Sequence, residues 1–468
     1  MVATFMVLIM TKRMTPVLAL IIVPTIFGLF AGAGLGIGDM ALDAIGGLAP
    51  TAALLMFAII YFGLMIDVGL FDPLVRVILR LVGHDPVKVV VGTALLAAVI
   101  SLDGDGSTTF IVVTSAMLPI YLRLGLSPVV LTCVAGLANG AMNILPWGGP
   151  TARAAAALDL SPSDVFVPMV PSLLAGLVVI FAFSWHLGLL ERRRLGTIDL
   201  PGEGLGGGAG SGGGAAPRST GPRGGGGTAT QVERISTVAI QTLVRPDDTA
   251  MADSMLDPQR STLRPRMSWF NLVLTAAVMV LLVADVLPLA YVFMAGSAIA
   301  IIANFPRVSD QAQRIVAHAP SIVGVVSMVL AAGVLIGVLE GTGMVDAMAA
   351  WVSGSIPDQL GAFSAVITGL LSIPMTFFLS NDAFYFGILP VLAESAAAFG
   401  IDPVDMARAS ITGQVVHMQS PLVPAILLLI SLAGVNLGDH HKKVLWRAVV
   451  VALVMLVVGI AVGSIGIG

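Results

Sequence analysis

Four polar, helix-breaking segments interrupt apolar stretches of this chain. Leu102-Asp103-Gly104-Asp105-Gly106-Ser107-Thr108-Thr109-Phe110 and Leu379-Ser380-Asn381-Asp382-Ala383-Phe384 read as two tips. Each is followed by a second break, at Asn143-Ile144-Leu145-Pro146-Trp147-Gly148-Gly149-Pro150-Thr151 and at His417-Met418-Gln419-Ser420-Pro421. Charge inside a membrane segment is costly, and it faces a cavity or marks function. Asp103, Asp105 and Asp382 are therefore candidates for handling a proton or a metal ion. Ser107 and Thr108 add hydroxyls at a helix start, where free N–H groups and a partial positive charge suit a carboxylate. Asn381 and Asp382 stand at the equivalent positions of the second tip. Asn143, Trp147, Thr151, His417, Gln419 and Ser420 surround the two breaks, and Pro146 and Pro421 free backbone carbonyls there. His417 is a candidate to bind a ligand or exchange a proton. Arg153, just past the first break, offers a planar fork for a carboxylate.

Each of these residues also has a plainer role open to it. The aspartates can cap an exposed turn, Ser380 alone can serve as N-cap, Trp147 can pack, and Arg153 can snorkel to an interface. Asp67 and Glu340, near equivalent helix ends, are either coupling acids or interfacial. The first tip superficially matches a calcium loop but fails its template, with Thr108 at position 6 and Thr114 at position 12.

The positioning elements follow from composition and spacing. Of 468 residues, 57% are hydrophobic and 11% charged, against roughly 25% charged in a soluble domain. Many stretches approach the ~20 apolar residues that span a bilayer, so the chain is an all-α polytopic membrane protein. Its net charge of −4 gives no reason to expect a nucleic-acid partner. The single cysteine, Cys133, excludes an intrachain disulfide. Met1–Met10 lacks a basic flank and a cleavage site and reads as a retained helix.

The breaks recur at a constant spacing. Gly63, Gly69, Asp72 and Phe110 match Gly337, Gly343, Asp346 and Phe384 at an offset of 274, and Gly125, Pro128 and Pro146 match Gly400, Pro403 and Pro421 at 275. Two repeats follow, residues 1–195 and 267–468. The first is expected to hold helices near 1–10, 16–36 and 48–68, a re-entrant hairpin at 87–119, a broken helix at 128–158 and a helix at 166–190. The second is expected to hold helices near 268–284, 287–305 and 321–340, a hairpin at 361–399, a broken helix at 404–434 and a helix at 444–465. Between them, 196–266 is glycine-rich and expected to be a flexible tether. Five crossings per repeat invert the second. That topology puts 21 of the 23 Lys and Arg on one face, which marks the cytoplasm. Both termini then lie outside and the linker lies in the cytoplasm. Discontinuous helices at matching positions of two halves mark the binding site of a secondary transporter.

Ser101-Leu102-Asp103-Gly104-Asp105-Gly106-Ser107-Thr108-Thr109, Leu145-Pro146-Trp147-Gly148-Gly149-Pro150-Thr151 and Leu379-Ser380-Asn381-Asp382 resemble motifs of the citrate–divalent-metal–proton symporters, as does Leu8-Ile9-Met10-Thr11-Lys12-Arg13. The resemblance covers both hydrophobic halves. It implies a multi-pass protein of the bacterial cell (inner) membrane, a homodimer and elevator-type alternating access. The cargo would be citrate complexed with Mg²⁺ or Ca²⁺, taken up with protons and without a resident cofactor. The wider superfamily carries Ser-Asn-Thr tips and sodium sites. The Asp-Gly-Asp-Gly-Ser-Thr and Ser-Asn-Asp tips here depart from that pattern and fit proton or metal handling better. The alternatives are another carboxylate or oxyanion carrier, an ion/proton antiporter, or an intramembrane hydrolase. The last lacks a second Tyr-Asp element, His-Glu-x-x-His and Gly-x-Ser-x-Gly.

Overall fold

A computed structural model describes residues 13–195 except His84 and Asp105, residues 260–467 except Asp285 and 355–357, and six of the first twelve residues. Residues 196–259, the bulk of the expected tether, lie outside the described residues, as does most of the helix expected at 1–10. The described residues are helical, with no strand among them. Six helical segments among them are long and apolar enough to cross a membrane: Gly34–Asp67, Pro86–Asp103, Pro162–Leu195, Pro265–Leu282, Ala319–Gly341 and Leu437–Ala461.

In chain order the first group of helices is α1 (Pro16–Phe30), α2 (Ile37–Asp67), α3 (Asp72–Val82), α4 (Pro86–Ile100), α5 (Gly106–Arg123), α6 (Pro128–Met142), α7 (Gly149–Ala157) and α8 (Val170–Leu195). The second group begins with α9 (Ser268–Ala284), α10 (Leu289–Asn304), α11 (Val308–Ala317), α12 (Ala319–Gly341) and α13 (Met344–Ser353). It continues with α14 (Ser364–Phe378), α15 (Asn381–Gly387), α16 (Leu389–Ala397), α17 (Pro403–Ile411), α18 (Pro424–Leu432) and α19 (Leu437–Ala461).

Local chemistry accounts for many of the starts. Proline opens α1, α4, α6, α17 and α18, where its missing N–H costs nothing. Asp85 and Asp402 each accept a backbone N–H of the first turn, from Val87 at 3.0 Å and Val404 at 2.9 Å. Matched glycines end matched helices. Gly125 and Gly400 are both left-handed, with φ of 69° and 78°. In both, the next residue donates back to the helix, Leu126 to Tyr121 and Ile401 to Ala396, the pattern that satisfies orphan carbonyls.

Several elements differ from expectation. α2 starts at Ile37, eleven residues before 48, because the Gly/Ala-rich 37–47 stretch packs on α12 and this packing outweighs weak propensity. Gly337 of α12 admits the α2 backbone at Met40. α3 and α11 are extra helices, short and charged, with Arg76 and Arg80 in one and Asp310 and Arg314 in the other. α3 buries Ile78 and Val82 beneath its arginines, the signature of an interfacial amphipathic helix. The tether does not run to 266: Arg264 N–H bonds Val68 O at 3.1 Å, and Arg260 bonds Asp67 O and the Asp72 carboxylate at 3.1 Å each.

Packing between the groups is reciprocal. α1 lies on α12 and α10 on α2, while α2 and α12 pack on each other. α5 lies on α18 and α7 on α15. Each outgoing arm behind a tip thus meets the segment that follows the other group's break.

Candidate functional site

The first tip is built by a helix that tightens and then turns. α4 passes into a single 3-10 turn, Ser101–Asp103, and Gly104 reverses the chain at φ 77°. The matching second tip is extended at Leu379 and capped by Ser380, whose Oγ accepts Ala383 N–H at 3.2 Å. The plainer reading of Ser380 is therefore the one observed. The two breaks are non-helical over 143–148 and 418–423. Such backbone at membrane depth persists where protein or a watery cavity satisfies it.

Trp147 ties the first break to the first tip. Its Nε1–H donates to Leu102 O at 2.8 Å, its ring stacks on Phe62 at 5.5 Å, and Phe293 meets it edge-on at 5.2 Å. The ring lies over Gly104, where a Cβ would come within 3.1 Å of it. Thr151 closes the break by donating to Ile144 O at 2.6 Å. Beneath the tip, Asn139 Nδ2 donates to Ser101 Oγ at 2.9 Å, and Ser101 Oγ pairs with Thr109 Oγ1 at 3.2 Å.

A cavity of about 530 Å³ opens in front of this tip, within the rough 300–1,000 Å³ range of small-molecule sites. Asp103, Gly104, Ser107, Thr108, Trp147 and Arg153 line one side, and residues of α2 and α12 the other. Asp103 is buried, 8% exposed. Five of the sequence candidates thus face one space. Asp105 lies outside the described residues.

The second tip reaches this space through an ion pair. Arg153 Nε meets Asp382 Oδ1 at 2.6 Å, and Arg153 Nη1 also donates to Gly149 O at 3.0 Å. Arg153 is thus matched by an acid of the other half rather than held ready as a lone cation, and it neither snorkels nor stands unpaired.

The remaining candidates divide by direction. Asn381 exchanges amide hydrogen bonds with Gln414, at 3.1 and 3.3 Å, and Gln414 donates to the Tyr385 hydroxyl at 2.8 Å. His417 Nδ1 donates to Thr376 O at 2.5 Å, and Ser420 Oγ to Phe377 O at 2.6 Å, so both clamp the break to α14. Asn143 is the half-buried C-cap of α6. Gln419 points away from the cavity. Its Nε2 donates to Gly136 O and Val415 O, and its Oε1 meets His440 Nε2 at 3.2 Å. The polarity that marks Gln419 in the sequence belongs to a rear network with α19. Gln414, Asn139, Phe62 and His318 belong to the site or its support and carry little sequence signal. Asn139 alone has one, lying four residues and one helical turn before Asn143.

A citrate transporter family model matches residues 5–413. The chain belongs to the citrate transporter family. Family membership makes it a membrane transporter and not an enzyme. It is 44% identical over 466 residues to a citrate transporter of Bacillus subtilis (strain 168), covering 99% of this chain and 98% of that one. It is 42% identical over 468 residues to the Mg²⁺/citrate complex secondary transporter of the same organism, covering 100% and 98%. Among solved structures, the Neisseria gonorrhoeae antimetabolite efflux pump MtrF has the same overall fold. Its TM-score is 0.53 at 12% identity, over 92% of this chain and 83% of that one. Both tips, the first break and the Arg153–Asp382 pair fall within the region that the family model matches, and the second break, at 418–423, lies just beyond it.

Proposed function

We propose that this chain is a secondary transporter that takes up citrate as a complex with a divalent cation, Mg²⁺ or Ca²⁺, together with protons. The observation that carries the reading is the charge on the cavity wall. Arg153 is already offset by Asp382, while Asp103 adds a carboxylate and Ser107 and Thr108 add hydroxyls at a helix start. A bare citrate trianion would meet the Asp103 carboxylate, with the arginine that lines the cavity already paired. Chelation lowers the cargo's charge and its desolvation cost, and it presents a cation to Asp103. A citrate-bound Mg²⁺ brings most of its own oxygen shell. The 42% identity to an Mg²⁺/citrate complex transporter supports the same cargo.

Transport would follow from two inverted repeats, residues 1–195 and 267–468. The reciprocal packing of α1 on α12 and α10 on α2, of α5 on α18 and α7 on α15, and the matched left-handed glycines support this arrangement. Both tips and both breaks would move as one unit against α1, α2, α10 and α12. That motion would alternate exposure by an elevator motion within a homodimer of the bacterial inner membrane. Both termini would lie outside, with the linker in the cytoplasm.

Citrate uptake into proteoliposomes, measured with Mg²⁺, with Ca²⁺ and with a chelator, tests the proposal. Uptake should rise with either metal and with an inward proton gradient. Equal or faster uptake in chelator, or strict dependence on sodium, overturns it.

A further inference from the structure

His318 lines the same cavity as Asp103, and neither the sequence motifs nor the tips account for it. It sits between α11 and α12, 4% exposed. Its Nε2 lies 3.2 Å from Asp67 Oδ2, at the C-terminus of α2, and Arg314 Nη1 of α11 approaches the same oxygen at 3.4 Å. Arg260 holds the Asp67 carbonyl at 3.1 Å, so the end of α2 that carries this carboxylate is fixed from a third side. Asp103 and Arg153, the latter paired with Asp382, are the other charged residues that line this cavity.

The other edge of the ring is what sets His318 apart. Nδ1 makes no side-chain hydrogen bond among the described residues. It lies over Gly63, where a Cβ would fall 2.6 Å from Nδ1 and 2.5 Å from Cε1. Gly63 itself lines the cavity. Glycine at this one position leaves room for the ring to lie against α2 at the cavity wall. With Nε2–H donated to Asp67, a neutral ring offers Nδ1 as an acceptor, and a protonated ring offers a second N–H donor. Imidazole is the side chain that changes charge between about pH 5 and 8.

We propose that His318 is a cargo-contacting residue whose Nδ1–H, in the protonated ring, donates to a carboxylate oxygen of the cargo. The proton comes from solvent at the cavity mouth, and no bond other than N–H is made or broken. Asp67 is a positioning residue that fixes the ring's orientation and partners its charge. Anion binding and proton uptake are then one event at this site. This rests on the carboxylate–metal cargo proposed above.

The test is calorimetry on the purified full chain with magnesium citrate, at fixed free Mg²⁺, in buffers of different ionisation heat. The heat difference between buffers counts protons taken up per cargo bound. Wild type should take up more protons per cargo bound than His318→Gln does at the same pH. Comparing the two at one pH cancels the titration of citrate itself. His318→Gln should also bind about tenfold more weakly at pH 6, the worth of one charge-assisted hydrogen bond. Gly63→Ala keeps the imidazole but displaces it, and it should lose the same proton uptake even if His318→Gln folds poorly. Unchanged proton count and affinity in a folded His318→Gln, or an unchanged count in Gly63→Ala, overturns the assignment while leaving the cargo intact. Failure of the wild type to bind magnesium citrate overturns the cargo reading, and this inference with it.

Discussion

Arg153 and Asp382 form a 2.6 Å ion pair across 229 residues of sequence, joining the segment after the first break to the second tip. Their side chains are 17% and 10% exposed, so neither charge is well solvated. The pair locks α7 to α15 and sets the charge at the cavity's edge.

Removing one partner leaves a buried charge, at a cost of roughly 3 kcal/mol or more. Arg153→Gln and Asp382→Asn should each lower the melting temperature of the solubilised protein and abolish uptake. The double variant should melt closer to wild type and still fail to transport, since the cavity loses its guanidinium. Additive losses of stability would show that the two residues do not act as a pair.

The Gly104–Trp147 contact predicts a graded result. Trp147→Phe keeps the ring on Phe62 and Phe293 but removes the donor to the half-buried Leu102 carbonyl, costing about 1 kcal/mol. Gly104→Ala forces a side chain into a left-handed backbone, at about 1–2 kcal/mol, and pushes its Cβ to 3.1 Å from the indole. Both variants should melt lower. Gly104→Ala should lose more transport, because it moves the tip that carries Asp103. Transport in Gly104→Ala equal to that in Trp147→Phe would sink this account.

What the sequence reveals of this fold is what local chemistry controls. Polar tips and Pro-Gly breaks stand out against apolar runs, so Asp103, Trp147 and Arg153 are legible as one neighbourhood. The direction of a side chain beyond a break is not. The helical phase is lost over 418–423, and so Gln419, aimed at His440, cannot be told from Gln414, aimed at Asn381. α3 and α11 are hidden because short charged helices resemble loops when spans are the search pattern. His318 is hidden because its meaning depends on Asp67 and Gly63, 251 and 255 residues away, which only packing brings near.

Topology is tested by labelling. Cys133 is fully buried and should stay silent to a membrane-impermeant thiol reagent. Asp39→Cys, exposed at the start of α2, should label in intact cells, and Arg193→Cys, exposed at the end of α8, only after permeabilisation. External labelling at 193 would reject the inverted arrangement.

Asp103 separates chemistry from capping. Asparagine keeps the size and hydrogen-bonding shape of aspartate but carries no charge, and it serves about as well in a turn or cap. If Asp103 meets the cation of the cargo, Asp103→Asn should melt within a degree or two of wild type and lose at least tenfold in magnesium citrate uptake. Raising free Mg²⁺ should recover part of that loss, because more of the citrate then arrives chelated. If Asp103 only closes the turn, uptake should survive, at a cost of at most about 1 kcal/mol in stability. Near-normal uptake by a stable Asp103→Asn would move the cation contact off Asp103.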